Sequence, residues 1–181
     1  MRRAIQHHII ILYTTLAALM TLMAACRDRI PTIEVETDKT AAVKENMINA
    51  NRVVIQSEAT QIASYIQRRG WAMTTLPCGA CYMVNTMGNG GQIAPEDKVT
   101  VTYRLERLDG SPIYRKQTDT LTVGRRDITV ALDDLLQQLT YGSTARMIAP
   151  SNSAYGVVGD GDRVSSREVI VYDIQEIKKT T

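Results

Sequence analysis

A strict alternation of apolar and polar residues over residues 99–106 constrains the fold of this chain more than any other feature. Side chains two positions apart lie on the same face of a β-strand, so this segment predicts a strand with one buried and one exposed face. The Asp109-Gly110 pair that follows is a strong signal for a tight turn. Half-buried strands connected by tight turns are typical of antiparallel sheets. The sequence therefore predicts an antiparallel sheet at the centre of the fold.

Further strands and one short helix are predicted on either side of this hairpin. Residues 128–139 are rich in Leu and Ala, and Asp133 and Asp134 favour a helix start there. Residues 150–166 are polar and contain three glycines, which predicts a long loop. The predicted strands are residues 73–75, 81–86, 99–106, 119–123 with a lead-in at 112–114, 144–148 and 169–177. One short helix with five or six antiparallel strands is an α+β domain, which we place at residues 71–181.

The first 25 residues have the layout of a secretory signal. A basic start is followed by an almost uncharged apolar run at residues 9–23 and by two alanines before Cys26. The run is shorter than the roughly 20 residues of a transmembrane helix, and charged residues follow Cys26 directly. Residues 22–26, Leu-Met-Ala-Ala-Cys, resemble a bacterial lipobox with Met in place of the usual Leu. We expect a lipoprotein signal peptide at residues 1–25 and lipidation of Cys26, with an ordinary signal as the alternative.

The lipid is expected to anchor the protein in the cell envelope, with the periplasmic face of the outer membrane as the predicted location. Loss of residues 1–25 also removes both histidines, His7 and His8, and the two arginines that account for the net charge of +2. A chain without histidine cannot build His-type zinc sites, Ser-His-Asp triads or Cys-His dyads. A charge near zero and the absence of Phe are not typical of nucleic-acid binders. We therefore predict no metal, no cofactor and no nucleic-acid partner.

An N-terminal helix is predicted ahead of the sheet. Residues 26–39 lack a sustained hydrophobic period and predict a tether. Residues 40–69 contain neither Gly nor Pro, and their apolar residues recur every three to five positions, which predicts one long amphipathic helix or two helices with a break near Ser57. Gly70 follows two arginines and is expected to end the helix. We expect the helical segment, residues 40–70, to pack on its own domain, with homodimerisation through it as the alternative.

Two strings in the C-terminal part of the chain carry a family resemblance. Residues 149–156 are Ala-Pro-Ser-Asn-Ser-Ala-Tyr-Gly, and residues 171–174 are Val-Tyr-Asp-Ile. They resemble the loop and the closing strand of FKBP-type peptidyl-prolyl cis-trans isomerases. Earlier strings match in order and spacing, so that the resemblance covers about residues 80–178. It implies a five- or six-stranded antiparallel half-barrel sheet wrapped on a short helix, with an apolar pocket that takes a prolyl ring.

The activity that the resemblance implies is the cis–trans isomerisation of X-Pro bonds during the folding of envelope proteins, with proline-containing polypeptides as partners. Rotation about the imide breaks no covalent bond, and its barrier of roughly 18–20 kcal/mol comes from amide resonance. A dry pocket that favours the twisted imide lowers this barrier without a histidine. A non-catalytic chaperone or peptide-binding module on the same fold is the alternative.

The resemblance also implies the residues of the pocket. Tyr155 is implied to donate a hydrogen bond to the substrate, and a backbone amide at Ile128 and Thr129 is implied to face it. Tyr103 and Tyr172 correspond to aromatic positions on the first long strand and on the last strand. The implied site residues are Tyr103, Ile113, Tyr114, Ile128, Thr129, Leu132, Tyr155, Val164 and Tyr172.

Three positions depart from the family pattern. The pair Ile113-Tyr114 replaces Phe-Asp, which changes the polar partner of the substrate carbonyl. Leu132 replaces a Trp at the floor of the pocket, and an aromatic side chain is missing near Asp119. Because an aromatic ring buries about 150–250 Å², we expect the altered pocket to offer a prolyl ring less contact area.

Cys78 and Cys81 are the cysteines that remain beside Cys26, in the string Cys-Gly-Ala-Cys. A CxxC string at a helix N-terminus supports thiol–disulfide exchange, but strand-like residues follow this one and no βαβ pattern surrounds it. For an oxidising periplasm we expect a local disulfide, with thiol–disulfide exchange as the alternative. The string Asp160-Gly161-Asp162 lacks the spacing of a calcium-binding loop and predicts a turn.

Overall fold

The computed structural model describes residues 37–180, with side chains from residue 40. The predicted signal peptide, Cys26 and most of the predicted tether lie outside the described residues. Contacts divide the chain into two compact units, Met1–Glu45 and Asn46–Thr181, and the contacts described below belong to the second unit. None of the helices within residues 37–180 combines the length and the apolar character that crossing a bilayer requires.

Two α-helices and six strands form the described part of the chain. They are α1 (Thr37–Arg69), β1 (Thr74–Thr75), β2 (Cys81–Thr86), β3 (Lys98–Glu106), β4 (Pro112–Thr122), α2 (Val130–Leu136), β5 (Thr144–Ala149) and β6 (Ile170–Lys179), with a short 3₁₀ turn at Ser151–Ser153. The strands form an antiparallel sheet in the order β1-β2-β5-β6-β3-β4. The predicted α+β fold class is confirmed, with six strands, a short helix and a preceding N-terminal helix.

The β3–β4 hairpin contains the alternating segment. Side chains of β3 alternate between buried and half-exposed, as the sequence predicts. The return strand β4 is longer than predicted, because it includes residues 112–118 as well as 119–122. Most of its middle residues are polar, since β4 is an edge strand with side chains reaching solvent on both faces. Its register against β3 shifts between Tyr103 and Leu105, where β4 carries one extra residue in a bulge.

The larger apolar cluster of the protein lies between the sheet and α2. Alternate residues of β5 and β6, such as Met147 and Tyr172, contribute to it, together with Leu132 and Leu135 of α2. All four side chains are fully buried. We term this side of the sheet the inner face. Helix α2 begins at Val130 and is shorter than the predicted helix at 128–139.

The outer face of the sheet carries a smaller cluster. Ile148 and Val171 are pairing partners on β5 and β6, each next in sequence to an inner-face residue, so their side chains point to the opposite side. Ile62 and Tyr65 of α1 cover them, and the ring of Trp71 meets that of Tyr65 edge-on with centroids 5.7 Å apart. Helix α1 therefore packs on its own domain, as predicted.

Helix α1 is continuous over 33 residues, so the alternative break near Ser57 is not present. It begins at Thr37, which is three residues before the predicted start. Gly70 ends it in the left-handed conformation, with φ of +63°. The Gly70 N–H donates to Gln67 O at 3.1 Å and the Trp71 N–H donates to Ile66 O at 3.2 Å, which is the Schellman arrangement of a helix C-terminus.

Only the C-terminal part of α1 is buried. Val43 and Met47, which the hydrophobic period places on the apolar face of the predicted helix, are exposed by 58% and 63%. Glu58, Ile62 and Tyr65, spaced by four and three residues, provide the buried face instead. The predicted amphipathic pattern is therefore only partly realised within the described residues: two of its apolar positions are exposed, and a charged residue is buried.

Candidate functional site

Two buried tyrosines form the base of the candidate site. Tyr103 of β3 and Tyr172 of β6 have ring centroids 5.6 Å apart and an interplanar angle of 48°. The Tyr103 hydroxyl donates to Asp119 Oδ2 of β4 at 2.5 Å, and the Tyr172 hydroxyl lies 3.2 Å from Thr129 Oγ1. Burial raises the pKa of both hydroxyls, and the neighbouring Tyr155 raises it further. Both tyrosines are therefore protonated at neutral pH.

Thr129 fixes the start of α2 beside these rings. Its backbone is extended, with φ of −133°, and its side-chain oxygen accepts the Leu132 N–H at 3.3 Å as the N-cap of the helix. The same oxygen contacts Tyr172. One cap therefore holds together the last strand, the short helix and Ile128, which precedes the cap and is half-buried.

Tyr155 reaches the site from the loop after β5. It follows the 3₁₀ turn, in which the N–H groups of Ala154 and Gly156 donate to Ser151 O at 3.2 and 2.8 Å. Burial raises the pKa of the Tyr155 hydroxyl, although the neighbouring hydroxyls of Tyr172 and Tyr103 lower it in part. The Tyr155 side chain thus lies beside Tyr103 and Tyr172, and the raised pKa of each hydroxyl keeps all three protonated at neutral pH.

A second tyrosine–carboxylate pair closes the other side of the site. The Tyr114 hydroxyl donates to Asp160 Oδ2 at 2.6 Å, with Asp162 Oδ2 at 3.2 Å as a further acceptor. Asp160 Oδ1 accepts three backbone N–H groups, those of residues 162, 163 and 164, at 2.8–3.0 Å. Burial alone would raise the pKa of Asp160, but the hydrogen bonds from Tyr114 and from this backbone outweigh it and lower the pKa. The predicted turn at residues 160–162 is present, and it also places a carboxylate at the site.

A cavity of about 440 Å³ opens above these groups. Tyrosine rings and Ile128 give it apolar walls, while hydroxyl and carboxylate groups make it more polar than the pocket that the resemblance implies. Its lining, as far as the described chain shows, contains no Lys, Arg or His. Within residues 37–180 no three His, Cys, Asp or Glu side chains are arranged to hold a metal ion. The cavity is lined by Tyr103, Tyr114, Gln117, Asp119, Asp127, Ile128, Tyr155 and Asp160.

The nine predicted site residues separate into three groups. Those that line the cavity are Tyr103, Tyr114, Ile128 and Tyr155. Thr129 and Tyr172 are buried and support the cavity through their hydrogen bond. Ile113, Leu132 and Val164 belong to the inner-face cluster and do not line the cavity. Their apolar side chains are buried in this cluster. The contacts of all nine residues with a ligand stay a prediction.

Sequence reasoning missed most of the polar groups of the cavity. In the sequence, Asp119 stands out only as the place of a missing aromatic side chain, yet it accepts the Tyr103 hydrogen bond. The sequence around Asp160 predicts only a turn, although Asp160 also accepts a hydrogen bond from Tyr114, which is 46 residues away. Asp119 lies two positions from Gln117 on β4, so the period of a strand could have placed both on one face. No sequence signal links Asp160 to Tyr114.

Cys78 and Cys81 are free thiols in the structure. Cys78 lies in the hairpin loop between β1 and β2, which closes with the Leu76 N–H donating to Ala80 O at 2.7 Å, and Cys81 is the first residue of β2. Cys78 packs against the inner-face cluster and Cys81 against the outer-face cluster. The expected local disulfide between them stays a prediction. Burial raises the pKa of the Cys78 thiol, which disfavours the thiolate that exchange chemistry needs.

Two comparisons with known proteins point to the same family. Residues 90–176 match the family model described as FKBP-type peptidyl-prolyl cis-trans isomerase. A probable FKBP-type peptidyl-prolyl cis-trans isomerase, FkpA, of Neisseria meningitidis serogroup B is 27% identical over 106 residues. The match covers 58% of this chain and 39% of the relative, so the chain spans only about two fifths of the length of that curated protein.

Solved structures show the same fold. The peptidyl-prolyl cis-trans isomerase from Pseudomonas syringae pv. tomato DC3000 is similar with a TM-score of 0.59 and 23% identity, over 72% of this chain and 96% of that one. The crystal structure of AtFKBP13 is similar with a TM-score of 0.54 and 17% identity, over 61% of this chain and all of that one. The predicted FKBP-like fold class is thereby confirmed.

Proposed function

Since residues 90–176 belong to the FKBP-type peptidyl-prolyl cis-trans isomerase family, we propose that this protein catalyses the cis–trans isomerisation of X-Pro bonds in polypeptides. The observation that carries the proposal is that Tyr103 and Tyr155 line a cavity of about 440 Å³, with the buried ring of Tyr172 packed against Tyr103. A prolyl ring finds flat apolar surface on the tyrosine rings, and the substrate backbone finds hydroxyl donors beside it.

The reaction requires the site to favour a twisted imide over the planar one. Resonance gives the planar imide a barrier of roughly 18–20 kcal/mol, and twisting weakens that resonance. Removing water from the imide and donating a hydrogen bond from Tyr155 to the substrate carbonyl stabilise the twisted form selectively. The raised pKa of Tyr155 keeps this donor protonated at neutral pH. Nothing in this route requires a nucleophile or a metal.

The cellular setting is a further part of the proposal. The signal-like residues 1–25 and the lipobox-like residues 22–26 support a lipoprotein that is anchored through Cys26 in the cell envelope. Unfolded envelope proteins that contain proline would then be its substrates. Growth with a labelled fatty acid, comparing wild type with Cys26→Ser, tests the anchor: only the wild type is expected to carry label, and an unlabelled wild type would refute lipidation.

Homodimerisation through α1 is also proposed. Its support is the exposure of apolar side chains on the N-terminal part of the helix: Val43, Met47, Ile48, Val53 and Ile55 are exposed by 47–65%. Light scattering at several protein concentrations is expected to give a dimer mass for wild type and a monomer mass for a Met47→Glu variant. A monomer mass for wild type at all concentrations would refute the dimer.

The activity is tested with the purified protein and an X-Pro peptide whose cis-to-trans relaxation is followed by a spectroscopic probe. Wild type is expected to accelerate the relaxation. Tyr155→Phe is expected to reduce kcat/KM about tenfold, because one hydrogen bond to the reacting group is worth about 1.4 kcal/mol. Tyr155→Phe combined with Tyr172→Ala is expected to abolish catalysis. No acceleration by wild type, together with retained suppression of client aggregation, would favour the non-catalytic chaperone.

A further inference from the structure

A buried carboxylate connects helix α1 to the loop that carries Tyr155. Glu58 lies in α1 and is only 5% exposed. Its Oε2 accepts the backbone N–H of Ser151 at 2.8 Å, and its Oε1 accepts the Ser151 hydroxyl at 2.6 Å. Charged side chains are rarely buried unless both oxygens have partners, and here each oxygen has one. The contact is therefore specific to Ser151.

Ser151 in turn fixes the residues on either side of Tyr155. Its carbonyl accepts the N–H groups of Ala154 at 3.2 Å and of Gly156 at 2.8 Å. Gly156 is held on its other side, because its carbonyl accepts the Arg167 N–H at 2.9 Å. Among the described residues, Glu58 is the one side chain from outside the loop that hydrogen-bonds the backbone of residues 151–156. A short chain of hydrogen bonds therefore connects α1 to the two residues that flank Tyr155.

Apolar contacts do not fill the space around this connection. A cavity of about 540 Å³ on one side is lined by Glu58 and by residues of α1 and of the loops at 107–109 and 167–169. A second cavity of about 160 Å³ is lined by Ser151, Asn152 and Gly156 among others. With open space on two sides, the position of the turn depends on hydrogen bonds more than on close contact of apolar side chains.

We propose that Glu58 is a positioning residue of the isomerase site: through Ser151 it sets where the Tyr155 hydroxyl lies, and it makes helix α1 part of the active unit. The inference rests on the proposed function, because it assigns a role for Tyr155 in the reaction. It also predicts a physical link between α1 and Tyr155 that exists whether or not the protein is an enzyme.

The test compares Glu58→Ala with Glu45→Ala in the full chain. Glu45 is the matched control, because it is the same residue type on the same helix and is exposed. Glu58→Ala is expected to lower kcat/KM for an X-Pro peptide about five- to tenfold, mainly through kcat, because the misplaced Tyr155 donor matters most in the twisted state. Glu58→Gln is expected to recover most of the activity, since its amide oxygen accepts from the Ser151 N–H and its amide nitrogen donates to the Ser151 hydroxyl. Glu45→Ala is expected to match wild type.

A second measurement separates this inference from the proposed function. In protein labelled at tyrosine rings, the NMR signals of Tyr155, assigned with Tyr155→Phe, are expected to shift in Glu58→Ala while those of Tyr141 stay in place. If wild type isomerises and Glu58→Ala matches wild type, the inference is refuted and the function stands. If wild type is inactive, unshifted Tyr155 signals refute the link and shifted signals support it. Should Glu58→Ala not fold, Ser151→Ala, which removes only the hydroxyl bond, replaces it in both measurements, and unchanged kcat and Tyr155 signals would then refute the inference.

Discussion

The two faces of the sheet are stabilised in different ways. The inner face holds the larger apolar cluster, which includes side chains of α2 together with Tyr103 and Tyr172. The outer face holds five buried apolar residues and, one helical turn before Ile62, the buried Glu58. Most of the apolar burial that stabilises the fold therefore lies on the inner face. The loop that carries Tyr155 is instead bound by Glu58 on the outer face.

The largest effect on stability is expected from the inner face. Leu135 is fully buried between α2 and the sheet. Leu135→Ala is expected to lower the free energy of unfolding by about 2–5 kcal/mol, because it removes apolar contact and leaves a cavity in a closely filled cluster. Urea unfolding followed by circular dichroism measures this loss. A loss below about 1 kcal/mol would mean that the inner-face cluster does not dominate the stability.

A smaller effect is expected from the same kind of truncation on the outer face. Ile62 is 3% exposed, but its cluster is small, and Val169 of that cluster also lines the cavity of about 540 Å³. Ile62→Ala is therefore expected to cost about 2 kcal/mol, the lower end of the range for such substitutions, because neighbours can relax into the open space. The same urea unfolding measures it. Equal losses for Ile62→Ala and Leu135→Ala would remove the contrast between the two faces.

The stability of the protein is expected to depend on pH through Asp160, which lines the cavity of about 440 Å³. Hydrogen bonds lower its pKa in the folded protein, so the stability it contributes is complete above the unfolded pKa of about 4 and is lost as the pH falls through the lower, folded pKa. Asp160→Asn removes this titration. The stability advantage of wild type over Asp160→Asn is expected to be larger at pH 7 than at pH 3, as measured by thermal unfolding. An advantage that is equal at both pH values would contradict the assignment.

The two faces also differ in how far the sequence alone could predict them. The family resemblance points to Tyr103, Tyr155 and Tyr172, and the structure brings the three side chains close together. Short strings of sequence carry that resemblance, so it can be recognised locally along the chain. Glu58 could not be found in this way, since a glutamate in a helix is normally solvent-exposed and its partner is 93 residues away. The middle of β4 gives no strand signal in the sequence, because an edge strand need not alternate.

The smallest expected effect concerns the charges that each face offers a ligand. The cavity of about 440 Å³ is lined by the carboxylates of Asp119, Asp127 and Asp160 without a lysine or arginine from the described residues, whereas the cavity of about 540 Å³ contains Arg107 and Arg167 beside its carboxylates. Two X-Pro peptides that differ only in the residue before the proline, Lys in one and Glu in the other, are compared. The Lys peptide is therefore expected to have a kcat/KM about two- to fivefold above that of the Glu peptide, because exposed charge pairs are worth about 0.2–1 kcal/mol. The preference should disappear in about 1 M salt, where the Debye length is about 3 Å, and it should narrow in Asp127→Asn, whose carboxylate is exposed. A preference for the Glu peptide would show that the charge of the cavity does not govern selection, and that the polar lining serves to hold the tyrosines in place.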